Sequence, residues 1–466
     1  MIKIVNMGTG RTLELTLGAV ETAKTADTVV LQTSKVEAAQ YFEELNISFY
    51  TLDELYDNAQ DFSQLTQSVC DFFTDKQDAA FFILGSSLNN ALAAAVAKRF
   101  DSSYIAGVSF SETAFAAAKI NSPFARSFAA DDIDEARITA AFPIAVTEID
   151  SEFRASDVVL KFERFYPYDS PVYFVKGGEA KQMPLYDVLK ETEFSYDTSL
   201  VFPGLPLTAR AGYTFDDLVE VIKVLRSENG CPWDRQQTYE SLRQYLIEES
   251  LEAIDAVNHG DPIKLFDELG DVLLQVVIYS QIGSEHADFD DTDVTTSECE
   301  KMIHRHTHVF GTDDIKDAES VLKNWDKIKR RDAGETVSAS MRSVMDISAL
   351  MKAAKVQKKA SFVGFDWEDA SGALAKLKEE IDEFEQSIKL GTNTEEEAGD
   401  LLFSAVNVLR LLKISPDVAL YSAVEKFIRR YEYMEEAAKR DGAELSSLTL
   451  AEQDVYWDEA KKAEKR

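Results

Sequence analysis

One acidic helical pattern occurs twice in the C-terminal half of this chain, and that duplication limits the possible folds more than any other feature. "LIEESLEAIDAV" followed by "FDELGDVLLQVV" (246–277) is echoed by "LKEEIDEFEQSI" followed by "EEEAGDLLFSAV" (377–406). Glu249 aligns with Glu380, Glu252 with Glu383, Glu268 with Glu397, and Asp271 with Asp400. The second copy is two residues shorter between its halves. Such a gap is expected in the turn between two helices, where length varies most freely.

Residues three or four apart share a helix face, so each aligned pair points one way. The "NHGDPI" turn (258–263) carries Gly and Pro, which predicts an antiparallel helical hairpin with four converging carboxylates. An ExxE helix taken alone is ordinarily a solvated face. "ELGD" is different, because Leu265, Phe266, Leu269, Val272, Leu273 and Leu274 surround it. A helix apolar on most sides is expected to be buried, and buried carboxylates are costly unless paired or metal-bound. No Lys or Arg is expected within one turn of Glu268 and Asp271. A hard divalent cation resolves this, Mg2+ first and Mn2+ as the alternative.

Charge points the same way. The net charge of −34 argues against a nucleic-acid binder, which needs a basic face. A phosphate-bearing ligand would be repelled unless a cation intervened. Cys70, Cys231 and Cys299 lie too far apart in sequence for a disulfide framework or a recognised zinc spacing. The opening "MIKIVNMGTG" has no secretory pattern, and "VLLQVVIY" (272–279) is too short to span a bilayer. A cytoplasmic protein without membrane partners is expected.

Residues 1–200 alternate strand-like runs ("IKIVNM", "DTVVLQT", "AAFFILG", "YIAGVSF") with helical segments ("LTLGAVETAKTA", "VEAAQYFEELN", "LNNALAAAVAKRF"). That order predicts a parallel α/β sheet. "DVVLKFERFY" and "PVYFVKGG" read as strands of an antiparallel addition. "VFPGLPLTARAGY" (201–213) reads as a linker, and nearly everything after it is helical. The expected architecture is an α/β domain (1–203), two tandem all-α helical-bundle domains (214–335 and 340–440) and a helical tail (441–466).

Residues 214–440 resemble the MazG family of nucleoside triphosphate pyrophosphohydrolases. The matching text is "GCPWDRQQTYESLRQYLIEESLEAIDAV", "ELGDVLLQVV", "IHRHTHVFG", "NWDKIK", "KVQKKASFVGFDW" and "KFIRRY". The resemblance implies Mg2+-dependent cleavage of an NTP between its α- and β-phosphates, which cleans or regulates nucleotide pools. It puts metal ligands at Glu249, Glu252, Glu268 and Asp271, and at Glu380, Glu383, Glu397 and Asp400. It also implies a homodimer with bundled carboxylate helices. Glu248 and Glu379 precede the ligands and are general-base candidates, with solvated helix acids the plain alternative.

In the family, the "KFIRRY" segment contacts nucleotide, so Lys426, Arg429 and Arg430 are phosphate-contact candidates, as are Lys301 and Arg305 at the matching place in the first copy. His304, His306 and His308 have strand-like spacing and lack zinc partners, which favours structure or phosphate contact. Trp233 and Trp367 read as packing residues at helix starts or as walls of a base pocket.

The first 200 residues resemble the tetrapyrrole methylase fold. "VNMGTGRTLELTLGAVETAKTADTVVLQT" follows its opening strand, loop and helix, and "PIAVTEIDSEFRASDVVLKFERFYPYDSPVYFVKGG" its later part. The family's first loop is a GxGPGD-like turn. Here it is Gly8-Thr9-Gly10-Arg11, and the later glycine-rich turn has become "LGSSLNN". These departures predict a domain that has lost methylase activity. Two other functions stay open on sequence: an S-adenosylmethionine-dependent methyltransferase with helical accessory domains, and a non-catalytic nucleotide sensor.

Overall fold

The computed structural model describes residues 1–463 except 77, 88, 89 and 345–347. Leu88 and Asn89 of the expected "LGSSLNN" turn therefore lie outside the described residues. The chain divides into two compact units, Met1–Gln237 and Thr238–Arg466.

In the first unit, β1 (Ile2–Asn6), β2 (Thr28–Leu31), β3 (Tyr50–Thr51), β4 (Ala79–Ile83) and β5 (Ser102–Ile105) form a parallel sheet ordered β3-β2-β4-β1-β5. The intervening helices are α1 (Leu17–Thr25), α2 (Glu37–Glu44), α3 (Asp53–Asn58), α4 (Phe62–Phe72) and α5 (Ala91–Arg99). Strand alternation divides the core. Ile2, Ile4, Phe81 and Ile83 join one buried cluster, whereas Val5, Ala80 and Phe82 join another. Burial on both faces is why these strands read as continuous apolar runs.

After α6 (Phe110–Ala117), a second sheet is ordered β6-β7-β10-β8-β9. Its strands are β6 (Arg126–Ala129), β7 (Ile144–Thr147), β8 (Pro171–Lys176), β9 (Glu179–Pro184) and β10 (Ser199–Phe202). β8 pairs antiparallel with β9, not with the "DVVLKFERFY" run expected to join it, and the two strands turn at Gly177 and Gly178, both at positive φ. "DVVLKFERFY" is not a strand. Most of it lies in α7 (Glu152–Phe162), where Ala155, Val158, Val159 and Phe162 are buried on one face. Their helical period overrides the β-branched content. Ser151 caps this helix, accepting from Arg154 N.

The segment after β10 is docked rather than free. Arg210 is almost fully buried against Asp217, and Ala211 N donates to Phe165 O at 2.9 Å. A side chain at position 212 would start 2.3 Å from Arg164 O, so only glycine fits. Asp217 lies in α8 (Phe215–Arg226), and α8 and α9 (Pro232–Gln236) belong to the first unit.

The second unit is helical: α10 (Arg243–His259), α11 (Pro262–His286), α12 (Asp291–Arg305), α13 (Thr307–Phe310), α14 (Ala318–Ala333), α15 (Val337–Arg342), α16 (Ala349–Ser361), α17 (Ala370–Leu390), α18 (Thr394–Leu411), α19 (Pro416–Arg440) and α20 (Leu450–Ala463). α10 packs along α11, and α17 along α18, as two hairpins. Gly260 ends α10 in the left-handed region at φ 65°, and Asp261 caps α11 by accepting from Ile263 N and Lys264 N. Gly391 ends α17 in the same way. The two-residue difference between the copies is not in the turn. α11 starts at Pro262, six residues before Glu268, whereas α18 starts at Thr394, three before Glu397. The first turn of α18 is three residues shorter and the loop before it, 391–393 against 260–261, one residue longer, which leaves the net two.

Two further expectations change. The "ELGD" helix is not buried on most sides within one chain: Phe266 is 75% exposed and Leu269 54%, although Glu268 is buried at 8%. "IHRHTHVF" forms a helix end, a turn and a short helix, not a strand. No helix among the described residues is long and apolar enough to cross a membrane.

Candidate active site

In the first hairpin, Glu249 and Glu252 on α10 and Glu268 on α11 offer oxygens that all lie within 4.8 Å of one another. Asp271 falls outside that group, yet it stands close enough to be felt. Burial, then Asp271, Glu252, Glu248 and Glu268, raise the Glu249 pKa above the ordinary glutamate range. Burial and then Glu252 raise Glu268 as well. Lys264, four residues before Glu268, offsets part of that rise and pairs with Asp255 at 3.2 Å. A cation therefore does stand about one turn away, contrary to the sequence expectation.

The second hairpin brings together Glu380 on α17 with Glu397 and Asp400 on α18, again within 4.8 Å. Glu383 is outside this group. Burial raises its pKa, Lys376 opposes the rise, and Glu380, Glu379 and Glu397 add to it. Lys376 Nζ lies 2.8 Å from Glu379 Oε1 and 2.9 Å from Glu380 Oε1. Glu248 and Glu379 are both exposed beside their clusters.

A cleft of about 720 Å3 opens on Glu380 and Asp400. Phe365, Trp367, Phe403 and Gln357 line it, with Asn407 and Arg410 deeper along α18. Arg410 is clamped on Asp366, and its guanidinium also donates to Asn407 Oδ1 at 2.7 and 3.0 Å. Gln357 Nε2 donates to Phe403 O at 2.8 Å, which leaves the buried Gln357 Oε1 without a partner. Trp367 is 46% exposed on this wall, and its ring sits so close to Gly372 that an added Cβ would approach within 2.6 Å. It is therefore a cleft wall held by local packing. Trp233 sits in α9, more than half exposed.

The expected phosphate contacts divide between two environments. Lys426, Arg429 and Arg430 lie on α19, which packs on α16 and α18. Arg430 stands 5.5 Å from the Trp457 ring centroid, and Phe427 packs on the same ring at 5.2 Å. Sequence reasoning did not single out Trp457. The available signal was a lone Trp in the charged tail helix "AEQDVYWDEAKK". Lys301 instead pairs with Glu298, and Arg305 lies over Trp325 at 5.2 Å. His304 Nε2 is 3.1 Å from Asp332, and His306 Nδ1 is 2.6 Å from Met302 O. His308 Nδ1 is buried without a partner.

Both clusters suit a hard divalent cation: all donors are carboxylate oxygens, and each set mutually disfavours ionisation without compensation. The class defined is a two-unit protein with a helical part built on duplicated carboxylate hairpins.

The family model of the MazG nucleotide pyrophosphohydrolase domain matches residues 237–310 and 369–434, one match on each hairpin. The protein YabN of Bacillus subtilis (strain 168) is 32% identical over all of this chain and 99% of its own length. The nucleoside triphosphate pyrophosphohydrolase/pyrophosphatase MazG of Thermotoga maritima is 43% identical over 54% of this chain and 97% of its own. Among solved structures, a uroporphyrin-III-C-methyltransferase from Thermus thermophilus covers 44% of this chain and 91% of its own, at 12% identity and a TM-score of 0.33. The chain belongs to the MazG family of nucleotide pyrophosphohydrolases, and it is an enzyme of that class.

Proposed function

We propose that this protein hydrolyses nucleoside triphosphates to nucleoside monophosphate and pyrophosphate, and that the second carboxylate set does so. The observation that carries this reading is the cleft joining Glu380 and Asp400 to an aromatic and amide wall. Phosphate and base thus have adjoining places. Glu380, Glu397 and Asp400 would hold Mg2+, with Glu383 completing the set, and Mn2+ fits the same oxygens. When bound, the metal supplies charge compensation on the phosphates and lowers the pKa of a coordinated water.

The chain's own groups account for the rest. Water attacks the α-phosphorus, the bond from the α-phosphorus to the α,β-bridging oxygen breaks, and that oxygen leaves with the pyrophosphate. Glu379 accepts the water's proton from its exposed position beside Glu380. Lys376 would leave the carboxylates for a phosphate oxygen of the bound substrate, and Lys426, Arg429 and Arg430 would add charge-assisted contacts. Trp367 and Phe365 wall the base, and the free Gln357 Oε1 accepts from a base N–H.

The first set, in the sequence-defined domain 214–335, serves as a second copy of the same site beside the working one at 340–440. A homodimer is supported by the exposed apolar face of α10 and α11, which includes Ile247, Val257, Ile263 and Phe266. Three free cysteines support a cytoplasmic setting.

The N-terminal domain is read as inactive in methyl transfer. Its first loop is tied down by the chain itself. Glu14 is buried and accepts from Thr9 N at 2.5 Å, Thr9 Oγ1 at 2.9 Å and Thr113 Oγ1 at 3.1 Å. The amide that would greet a ligand is thereby taken.

The test is phosphorus NMR of an NTP panel incubated with the full chain and Mg2+. Nucleoside monophosphate with pyrophosphate is expected. Orthophosphate as the sole inorganic product, or no turnover, overturns the proposal.

A further inference from the structure

The helix α16 has a second cleft on its other face. Val356, Gln357 and Ala360 border the cleft beside Glu380, whereas Lys355, Lys358 and Lys359 border another of about 520 Å3. Helical spacing places these two groups on opposite faces. Lys329 enters the second cleft from α14, one turn after Trp325 and Asp326, and Phe362 follows the lysines.

The charges there are unbalanced. Among the described residues that line it, four lysines meet a single aspartate. Asp326 is buried and already committed, to Arg330 Nε at 2.8 Å and Lys359 Nζ at 3.2 Å. Lys359 also donates to the buried Ser340 hydroxyl. Lys329, Lys355 and Lys358 have no carboxylate at ion-pair distance among the described residues. The chain carries 83 acidic residues against 49 Lys and Arg, so carboxylates are abundant, yet none among the described residues pairs with these three lysines.

A solvated helix face would explain Lys355 and Lys358 alone. It does not explain Lys329 arriving from another helix, nor the aromatic residues that line the same cleft. Trp325 is fixed by the His306 ring at 5.0 Å and the Arg305 guanidinium at 5.2 Å, and Lys358 lies 5.9 Å from the Phe362 ring centroid. Converging cations repel one another unless a counter-charge joins them. An anion with several oxygens would satisfy all three at once; Ser343 also lines the cleft, its hydroxyl donating to Ser340 O at 3.0 Å.

We propose that this cleft binds a phosphate chain of at least two phosphates, carried by a nucleotide or present as free pyrophosphate, without a metal ion. It is a different site from the carboxylate clusters, where an anion needs a divalent cation to approach. Because α16 walls both clefts, occupancy of one acts on a helix that shapes the other.

The experiment is calorimetric titration of the full chain in EDTA with pyrophosphate and, separately, with ADP. EDTA removes metal-supported binding at the carboxylates. The wild type is expected to bind one equivalent. Lys355→Glu with Lys358→Glu, both at exposed positions, is expected to weaken binding by roughly tenfold or more. Lys329→Gln, on the opposite wall, is expected to weaken it too, and this milder change keeps the test valid should the double variant fold poorly. Lys426→Glu with Arg429→Glu is expected to leave metal-free binding unchanged. ADP binding more tightly than pyrophosphate, with the preference lost in Trp325→Leu, identifies a nucleotide; equal affinities identify the inorganic chain. No binding by the wild type, equal affinity in the wild type and the Lys355/Lys358 and Lys329 variants, or loss only in the Lys426/Arg429 variant overturns the proposal.

Discussion

Lys376 Nζ lies 2.9 Å from Glu380 Oε1, whereas the position four residues before Glu249 is Tyr245. The two carboxylate sets are thus similar in their acids and different in their cations. The second set carries a positive charge on the lining of a cleft. Removing it isolates that charge. Lys376→Met is expected to raise KM for the triphosphate by roughly tenfold with kcat changed far less, as suits a group that binds phosphate rather than drives bond cleavage. Initial rates of pyrophosphate release over a substrate series measure this. A fall in kcat at unchanged KM would contradict it.

Glu249, Glu268 and Glu383 are each raised above the ordinary glutamate pKa, by burial first and by neighbouring acids next. A carboxyl raised in the folded state favours the proton-bound fold. Its contribution is complete below the unfolded value, about 4.3, and is lost as pH rises through the folded value. Metal-free protein is therefore expected to lose thermal stability between that range and neutrality, and Mg2+ is expected to reverse the loss. Melting in EDTA across this window checks the sign. Replacing the three residues by Gln is expected to flatten the profile, and an unchanged slope would remove the clusters as its cause.

The exposed apolar face of the first hairpin calls for a cover. Phe266→Glu with Leu269→Glu is expected to give a monomer by sedimentation velocity while leaving the single chain folded, because neither side chain is buried within it. A dimer that survives both changes would place the contact elsewhere.

In the N-terminal domain, Glu14 holds the loop that a methyl donor would need. Calorimetry with S-adenosylmethionine is expected to show no binding. Measurable stoichiometric binding would revive the methyltransferase alternative.

The parallel sheet and the two carboxylate hairpins were legible because their signals recur: short apolar runs such as Ile2 to Val5 between helical segments, and acids three residues apart on α10, α11, α17 and α18. "DVVLKFERFY" misled because Val158 and Val159 favour strands locally, while Ala155 and Phe162 complete a helical face only when read together. Burial of the "ELGD" helix was misjudged because its apolar residues face outward from the single chain, and one sequence does not distinguish a core from a contact between copies. Gln357, Asn407, Arg410 and Trp457 were missed for a simpler reason. They come from three helices, α16, α18 and α20, and nothing in their local sequence says that folding sets Gln357, Asn407 and Arg410 around one cleft and Trp457 beside Arg430.

The most direct measurement compares pyrophosphate release from an NTP with Mg2+ by the wild type, by Glu397→Gln with Asp400→Asn, and by Glu252→Gln with Glu268→Gln. If the second set is the working site, the wild type and the first-set variant release pyrophosphate at comparable rates, and the second-set variant loses at least about a hundredfold. Loss confined to the first-set variant, or no pyrophosphate from the wild type, would contradict it.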